Sequence, residues 1–298
     1  MIRLGEDKDK EILKKLWKLC FPDDTNEFIC LYFDQVYKND ETLVYTENDK
    51  PVASLQMIPY SFKTGTTISL AGYISGAMTH PAFRKKGYMS RLLNASFEVL
   101  KEKKYDYTFL IPQKEYLFEF YEKQGYVKAF PERIAKLSSD FPDFSSSASS
   151  QKREVQIYES LQDLFSVPTP YGESLEKRYW QTYSCFLFEK TNVILKTESQ
   201  FTHILWDFFT EKGVLFANEE GWAFSFREKD QIILKEFFYQ DKTVKQFFLQ
   251  AIREYYALKK LTICNDPDAP FVRYKGMIKA LNETKELITD IYAGMMLD

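Results

Sequence analysis

The segment from Tyr73 to Phe130 constrains the fold most, because a strand, a basic turn and an amphipathic helix follow one another directly. The apolar run ending at Thr79 predicts a buried strand, and Arg84-Lys85-Lys86-Gly87 predicts an exposed turn. After it, residues at helical spacing predict one apolar helix face: Leu92, Leu93, Ser96, Phe97 and Leu100. The first N–H groups of a helix lack intrahelical partners and lie at the positive end of its dipole, so the turn predicts an anion site. Taken alone, the turn is equally compatible with a solvated basic loop before an ordinary helix.

The residues after this helix continue the alternation of strands and helices. Tyr105 to Ile111 is rich in aromatic residues and ends at Pro112, which predicts a buried strand. Glu115 to Lys123 predicts a short helix that stops before Gly125, and Tyr126 to Phe130 predicts another strand. The predicted order is therefore strand, anion-binding turn, helix, strand, helix, strand.

Two motifs in this segment resemble those of the GNAT (GCN5-related N-acetyltransferase) superfamily. Arg84-Lys-Lys-Gly87-Tyr-Met89 resembles the family's phosphate-binding turn, and Phe120-Tyr121-Glu122-Lys123-Gln124-Gly125-Tyr126 resembles its tyrosine-bearing helix. The motifs occur in the family's order and at its separation, and the resemblance covers roughly the first half of the chain. The family has Gly or Ala where this sequence has Met89, a departure that Eis-like members of the family share.

The resemblance implies acetyl-CoA as co-substrate and assigns roles to particular residues. Backbone N–H groups from Lys85 to Met89 would hold the pyrophosphate. In the family the strand before the turn diverges from the strand after the helix, here Ile74–Thr79 and Thr108–Ile111, and pantetheine lies in the gap. The implied coenzyme-binding residues are Ala77, Met78, Thr79, Arg84, Lys85, Lys86, Gly87, Tyr88 and Met89.

The implied catalytic residue is Tyr121, as general acid toward the departing thiolate; a phenol with a pKa near 10 stays protonated at neutral pH. Tyr116 is its nearest competitor. The general base stays open, because no acid occurs in the strand Gly72–Thr79. Water, a carboxylate such as Glu27 and the equilibrium of the amine itself are the alternatives. The chain-terminal carboxylate that Eis-like enzymes use is not carried over to Asp298.

Composition excludes several classes of protein. With 298 residues, 45% of them hydrophobic, the chain is long enough for one large globular domain or two ordinary ones. A net charge of -3 does not favour nucleic acid or an anionic membrane as partner. The 4 cysteines lack metal-ligand spacing, and no apolar run reaches the length of a membrane span. We therefore expect a soluble, cytoplasmic protein with reduced thiols and no metal.

The sequence predicts two domains separated by a linker. Residues 138–152 are rich in serine and predict a linker, which leaves residues 1–137 as the catalytic domain and 153–298 as the second. The hairpin from Gly213 to Arg227 resembles the one from Thr42 to Met57, and Phe271–Leu281 aligns with Phe120–Phe130. The second half lacks the basic turn, having Gln240-Asp241-Lys242 before its helix. We therefore expect an α/β (α+β) chain of two GNAT-like domains, each a mixed, mainly antiparallel sheet flanked by helices, with a degenerate second domain. The arrangement resembles the Eis-like branch without its sterol-carrier-like domain.

The expected function is N-acetyl transfer from acetyl-CoA to a primary amine on a small molecule or peptide. Two alternatives remain at this stage. One is a tandem-GNAT aminoacyl or peptidyl transferase of the FemX-like kind, and the other is a non-catalytic acyl-CoA-binding or sensing protein. The sequence does not identify the acceptor, and it leaves homo-oligomerisation open.

Overall fold

A computed structural model describes residues 1–137, 154–166, 175–257, 260–266 and 269–296. The strands are β1 (Ile2–Leu4), β2 (Thr42–Glu47), β3 (Lys50–Thr64), β4 (Thr67–Thr79), β5 (Tyr107–Leu110), β6 (Val127–Leu137), β7 (Gln156–Tyr158), β8 (Asn192–Leu195), β9 (Val214–Asn218), β10 (Gly221–Glu228), β11 (Gln231–Tyr239), β12 (Leu261–Cys264) and β13 (Phe271–Ala280). The helices are α1 (Lys10–Cys20), α2 (Asn26–Leu31), α3 (Tyr88–Glu102), α4 (Leu117–Glu122), α5 (Leu161–Ser166), α6 (Leu175–Glu189), α7 (Glu198–Thr210) and α8 (Lys242–Tyr256). Within those ranges, none of the helices is both long and apolar enough to cross a membrane.

The first half places strands β1 to β5 side by side, antiparallel from β1 to β4 and parallel from β4 to β5. The parallel pair requires a crossover connection, which α3 supplies. The predicted apolar face of α3 is buried on the sheet: Leu92, Leu93, Ser96, Phe97 and Leu100. On the other face, α1 buries Leu13, Leu16 and Trp17. The next helix, α2, continues as a turn of π-helix at Tyr32–Val36.

The second half repeats this arrangement. Strands β7, β9, β10 and β11 are antiparallel neighbours, and β11 pairs in parallel with β12 after the crossover through α8. The hairpin of β9 and β10 corresponds to that of β2 and β3, which confirms the predicted similarity of the two hairpins. The same mixed, mainly antiparallel strand arrangement with a helical crossover is therefore present in both halves.

The two halves exchange strands. β13 lies between β5 and β6 and is antiparallel to both, while the far end of β6 pairs with β12. The central strand order is β4-β5-β13-β6-β12-β11, which has the same sequence of parallel and antiparallel pairs from either end. The described strands consequently form one 13-stranded sheet, with β8 attached to β3 off the main path. The two halves thus share a sheet.

The predicted alignment of Phe271–Leu281 with Phe120–Phe130 is wrong in its first part. Residues 117–122 form α4, whereas Phe271–Ala280 is one strand, β13. Extended backbone is favoured there because β5 and β6 both offer antiparallel edges to β13. This strand comes from the range 153–298 predicted as the second domain, yet it completes the sheet of the first. The predicted linker at 138–152 lies outside the described residues.

Candidate functional site

A cavity of about 180 Å³ opens where β4 and β5 separate. The parallel ladder consists of three residue pairs and ends at Tyr73 and Phe109. Beyond it the two strands diverge, and the cavity lies between Ile74–Ala77 on one side and Leu110–Gln113 on the other. Because a water molecule takes about 30 Å³ of liquid volume, the cavity suits an acylated thiol end and not a whole coenzyme. The divergence falls in the two strands for which the family resemblance implies it.

A β-bulge in β4 shapes one wall of the cavity. Gln56 faces Ser75 and Ser54 faces Met78, so Gly76 and Ala77 together oppose one residue of β3. Gly76 has a φ of +54°, and a Cβ on it would lie 2.5 Å from Cζ3 of Trp17. Glycine is therefore required both by the backbone conformation and by the contact with the indole. The bulge lets the indole of Trp17 pack directly against the backbone of the strand.

The basic turn leads into an uncapped helix N-terminus. Gly87 is the N-cap of α3, with a φ of +76°, and no side chain bonds to the N–H groups of the first turn. A Cβ on Gly87 would meet nothing within 4 Å, so the space beside this glycine is open. Arg84, Lys85 and Lys86 are exposed around it. A helix N-terminus without a side-chain cap, at the positive end of the helix dipole and beside three cations, is an arrangement that favours a bound anion.

Individual side chains in the turn also have structural contacts. Nε of Arg84 donates to the carbonyl oxygen of Thr79 at 3.2 Å, and Nζ of Lys86 lies 4.9 Å from the centroid of the Phe83 ring. The ring of Tyr88 stacks on that of Tyr45 with 4.0 Å between centroids, and its hydroxyl donates to the Glu47 carboxylate. These contacts fix the position at which α3 begins.

Of the three predicted strand residues, one lines the cavity. Ala77 lines the cavity, whereas the side chain of Met78 is buried in the core beneath the sheet. The carbonyl of Thr79 also accepts a bond from Sγ of Cys20 at 3.4 Å. His80 is not among the residues that line the cavity; its Nδ1 accepts from the Ala82 N–H and caps a short 3-10 turn.

Tyr121 lines the cavity from the α4 side. It is 7% exposed, and its ring packs edge-on against those of Phe120 and Tyr126. Burial raises the pKa of Tyr121 to about 12, so the phenol keeps its proton throughout the physiological pH range. The competing Tyr116 is 72% exposed at the start of α4 and does not line the cavity.

Asp24 lines the cavity as well, and no local sequence pattern predicts this role for it. Its Oδ2 accepts a hydrogen bond from Nε1 of Trp17 at 2.6 Å. Its backbone carbonyl oxygen accepts one from Nζ of Lys18, also at 2.6 Å. It is the one carboxylate among the described residues that line the cavity. Burial raises the pKa of Asp24 against the opposing effects of the Trp17 bond and the Lys18 charge. Glu27, the predicted alternative, is exposed and lies outside the cavity.

The corresponding position in the second half is blocked by a side chain. The N-cap of α8 is Asp241, whose carboxylate accepts from the N–H groups of Thr243 at 2.7 Å and Val244 at 2.9 Å. The carboxylate thus occupies the place that a phosphate would take at the first helix. A cavity of about 620 Å³ lies at the end of β11, lined in part by Phe186, Phe238 and Tyr292, without an anion-binding turn beside it.

Comparison with known families and structures agrees with this geometry. Residues 1–129 match the acetyltransferase (GNAT) domain family. The chain is similar in fold to a probable N-acyltransferase from Enterococcus faecalis (TM-score 0.71, 10% identity, covering 95% of this chain and 72% of that one). It is also similar to Eis1 from Mycobacterium abscessus (0.66, 10%, 95% and 74%) and to a putative acetyltransferase from Pyrococcus horikoshii (0.53, 12%, 99% and 94%). A search of curated protein sequences gave no match.

Proposed function

Because residues 1–129 carry a GNAT acyltransferase domain within a fold similar to that of Eis1, we propose that this protein transfers an acetyl group from acetyl-CoA to a primary amine. The observation that carries the proposal is the cavity between β4 and β5, which Tyr121 and Asp24 both line. One acid that stays protonated and one carboxylate are thereby placed around a space of thioester size.

The donor would enter from the N-terminus of α3. Its pyrophosphate would bind the open N–H groups that follow Gly87, with Arg84, Lys85 and Lys86 adding charge attraction. The pantetheine arm would then run along Ala77–Thr79 into the gap between the strands. Backbone N–H groups on the diverging edge of β4 would polarise the thioester carbonyl.

The acceptor would enter past Asp24. An amine is protonated at neutral pH, and the Asp24 carboxylate would attract the ammonium ion and accept its proton. The neutral nitrogen then attacks the thioester carbonyl carbon and a C–N bond forms. As the C–S bond breaks, the nitrogen releases its remaining extra proton to water, which leaves the neutral amide. The thiolate takes a proton from the Tyr121 phenol, and exchange with water restores both side chains. The raised pKa of Asp24 makes it a better proton acceptor than an exposed aspartate. We expect this reaction in the cytoplasm, where acetyl-CoA is available.

The test is a panel of primary amines incubated with acetyl-CoA and the full chain, with release of free thiol as the readout. The proposal predicts amine-dependent thiol release for at least one class of amine, and loss of that release in Tyr121→Phe with coenzyme binding retained. Tight coenzyme binding without thiol release for any amine would contradict the transferase and favour an acyl-CoA sensor. Absence of acetyl-CoA binding to the wild-type chain would contradict both.

A further inference from the structure

A fully buried carboxylate holds the C-terminal segment of the chain. Glu236, on β11, is 0% exposed. It accepts from the Tyr183 hydroxyl at 3.2 Å, from the Met295 N–H at 3.2 Å and from the Tyr292 hydroxyl. Two of these three donors belong to residues 288–296, which we call the tail. The acyl-transfer chemistry does not use Glu236, so the burial of its carboxylate needs another explanation.

The tail packs against the cores of both halves. Ile291, Ala293 and Met296 are buried in the core that also contains Trp17 and Tyr73. Tyr292 packs instead against the core of the second half. The backbone of the tail is bonded to two strands, since the Ile291 N–H donates to the carbonyl oxygen of Ala129 in β6 at 3.0 Å and the Tyr292 N–H donates to that of Asn192 in β8 at 2.9 Å. A shift of the tail would therefore change the side-chain packing in both cores.

Gly294 lets the tail approach the carboxylate. It has a φ of +64°, and a Cβ there would lie 2.8 Å from Oε1 of Glu236 and 2.9 Å from the Tyr183 hydroxyl oxygen. The Lys196 ammonium, itself buried, donates to the carbonyl of Ala293, and Nζ of Lys275 donates to that of Gly294 at 3.3 Å. Backbone, carboxylate and two lysines thus define a single position for the tail.

We propose that Glu236 is a positioning residue for the cavity between β4 and β5, and that it acts through the tail. Trp17 and Tyr73 line that cavity and share a core with Ile291, Ala293 and Met296. A buried carboxyl group with three donors fixes geometry more strictly than apolar packing does, since any displacement leaves a buried polar group without its hydrogen bonds. The second half, which has no open anion site of its own at α8, would in this way shape the site of the first.

The test compares two glycines with the same backbone conformation. Gly294→Ala pushes a methyl group into the Glu236 site, whereas Gly65→Ala, at a φ of +56° with nothing within 4 Å, imposes a similar backbone penalty in open space. The readouts are calorimetric titration with acetyl-CoA and amide hydrogen exchange of the full chain. For Gly294→Ala we expect about 10-fold weaker acetyl-CoA binding and faster exchange both in the tail and in Tyr73–Ala77 of the cavity wall. Gly65→Ala should stay within about twofold of wild type in both readouts.

A second pair of variants separates positioning from general destabilisation. Glu236→Gln keeps the shape of the side chain, and Tyr292→Phe removes one donor. If the carboxylate acts by holding the tail, the two changes weaken acetyl-CoA binding by less in combination than the product of their separate effects. Faster exchange confined to the tail, with acetyl-CoA binding unchanged, would overturn the proposal. The exchange measurement needs no ligand, so it decides the matter even where the proposed function itself fails.

Discussion

Replacing Asp24 with Asn tests the acceptor side of the site, because it removes one charge and keeps the shape of the side chain. The amide oxygen of Asn can still accept the bond that Trp17 donates, so the loop after α1 should keep its position. A positioned general base contributes roughly 10²- to 10⁴-fold to a rate. We therefore expect kcat/KM for the amine to fall by at least about 100-fold, equivalent to about 2.7 kcal/mol of transition-state stabilisation.

The same substitution should not destabilise the fold. Burial raises the pKa of Asp24, so the folded state binds this proton more tightly than the unfolded state does. The contribution of Asp24 to stability is therefore most favourable below the unfolded pKa of about 3.9 and is lost as pH rises through the higher folded pKa. At neutral pH, Asp24→Asn should unfold at the same temperature as wild type or a higher one. The loss of stability that wild type shows as pH rises through the folded pKa of Asp24 should be absent from the variant.

The assay is steady-state thiol release over a range of pH, with thermal unfolding measured in parallel. The matched control is Asp23→Asn, which removes the same charge one residue away at an exposed position. The control should retain kcat/KM within about threefold, since an exposed charge interacts weakly. Equal losses in the two variants would refute the assignment of Asp24, because bulk charge near the entrance would then account for the effect.

Three further substitutions test separate parts of the structure. Tyr121→Phe should abolish turnover while the dissociation constant of acetyl-CoA stays within about threefold, because only a donor that acts in the transition state is lost; Tyr116→Phe, at an exposed position, is its control and should turn over normally. Gly76→Ala should lower the unfolding free energy by roughly 1–3 kcal/mol and abolish acetyl-CoA binding, since its methyl group would collide with Trp17. If this variant binds acetyl-CoA normally, the bulge is not needed for binding. Asp241→Ala should lower stability by about 0.5–2 kcal/mol through loss of the α8 cap without changing acetyl-CoA binding, as measured by thermal unfolding and calorimetry.

Local sequence patterns predicted most of the individual elements. The strand predicted to end at Thr79 and the strand predicted within Tyr105–Ile111 are present in the structure as β4 and β5. Their apolar or alternating residues are bounded by turns, and such signals are contained within the element itself. The helix α3 was predicted for the same reason, because its buried residues recur at helical spacing.

The exchange of strands was not predictable in this way. β13 pairs with β5 and β6, which precede it by more than a hundred residues in the chain. Strand pairing over such distances depends on which edges remain open in the folded sheet, and no short window of sequence records that. The pattern around Gly276 resembles the one around Gly125, so local comparison favoured a helix ending where the structure has continuous strand.

The features of the site that depend on local backbone structure could be predicted from the sequence. The features that depend on contacts between distant parts of the chain could not. Gly87 precedes an amphipathic helix, so an uncapped helix N-terminus could be predicted there. Asp24 becomes a cavity residue only because Trp17 packs against Gly76 and brings the end of α1 to the divergent strands. Neither that contact nor the raised pKa of Asp24 leaves a local pattern in the sequence.

The most direct test of the central claim is a calorimetric titration of the wild-type chain, Gly87→Glu and Gly65→Glu with acetyl-CoA. Both glycines have positive φ and open space around the Cβ position, so the two substitutions impose similar backbone strain and add the same charge. Only Gly87 faces the N-terminus of α3, where a carboxylate would compete with and repel the pyrophosphate. The account predicts that acetyl-CoA binds to wild type and Gly65→Glu with similar affinity and does not bind measurably to Gly87→Glu. Equal binding by the two variants would contradict it.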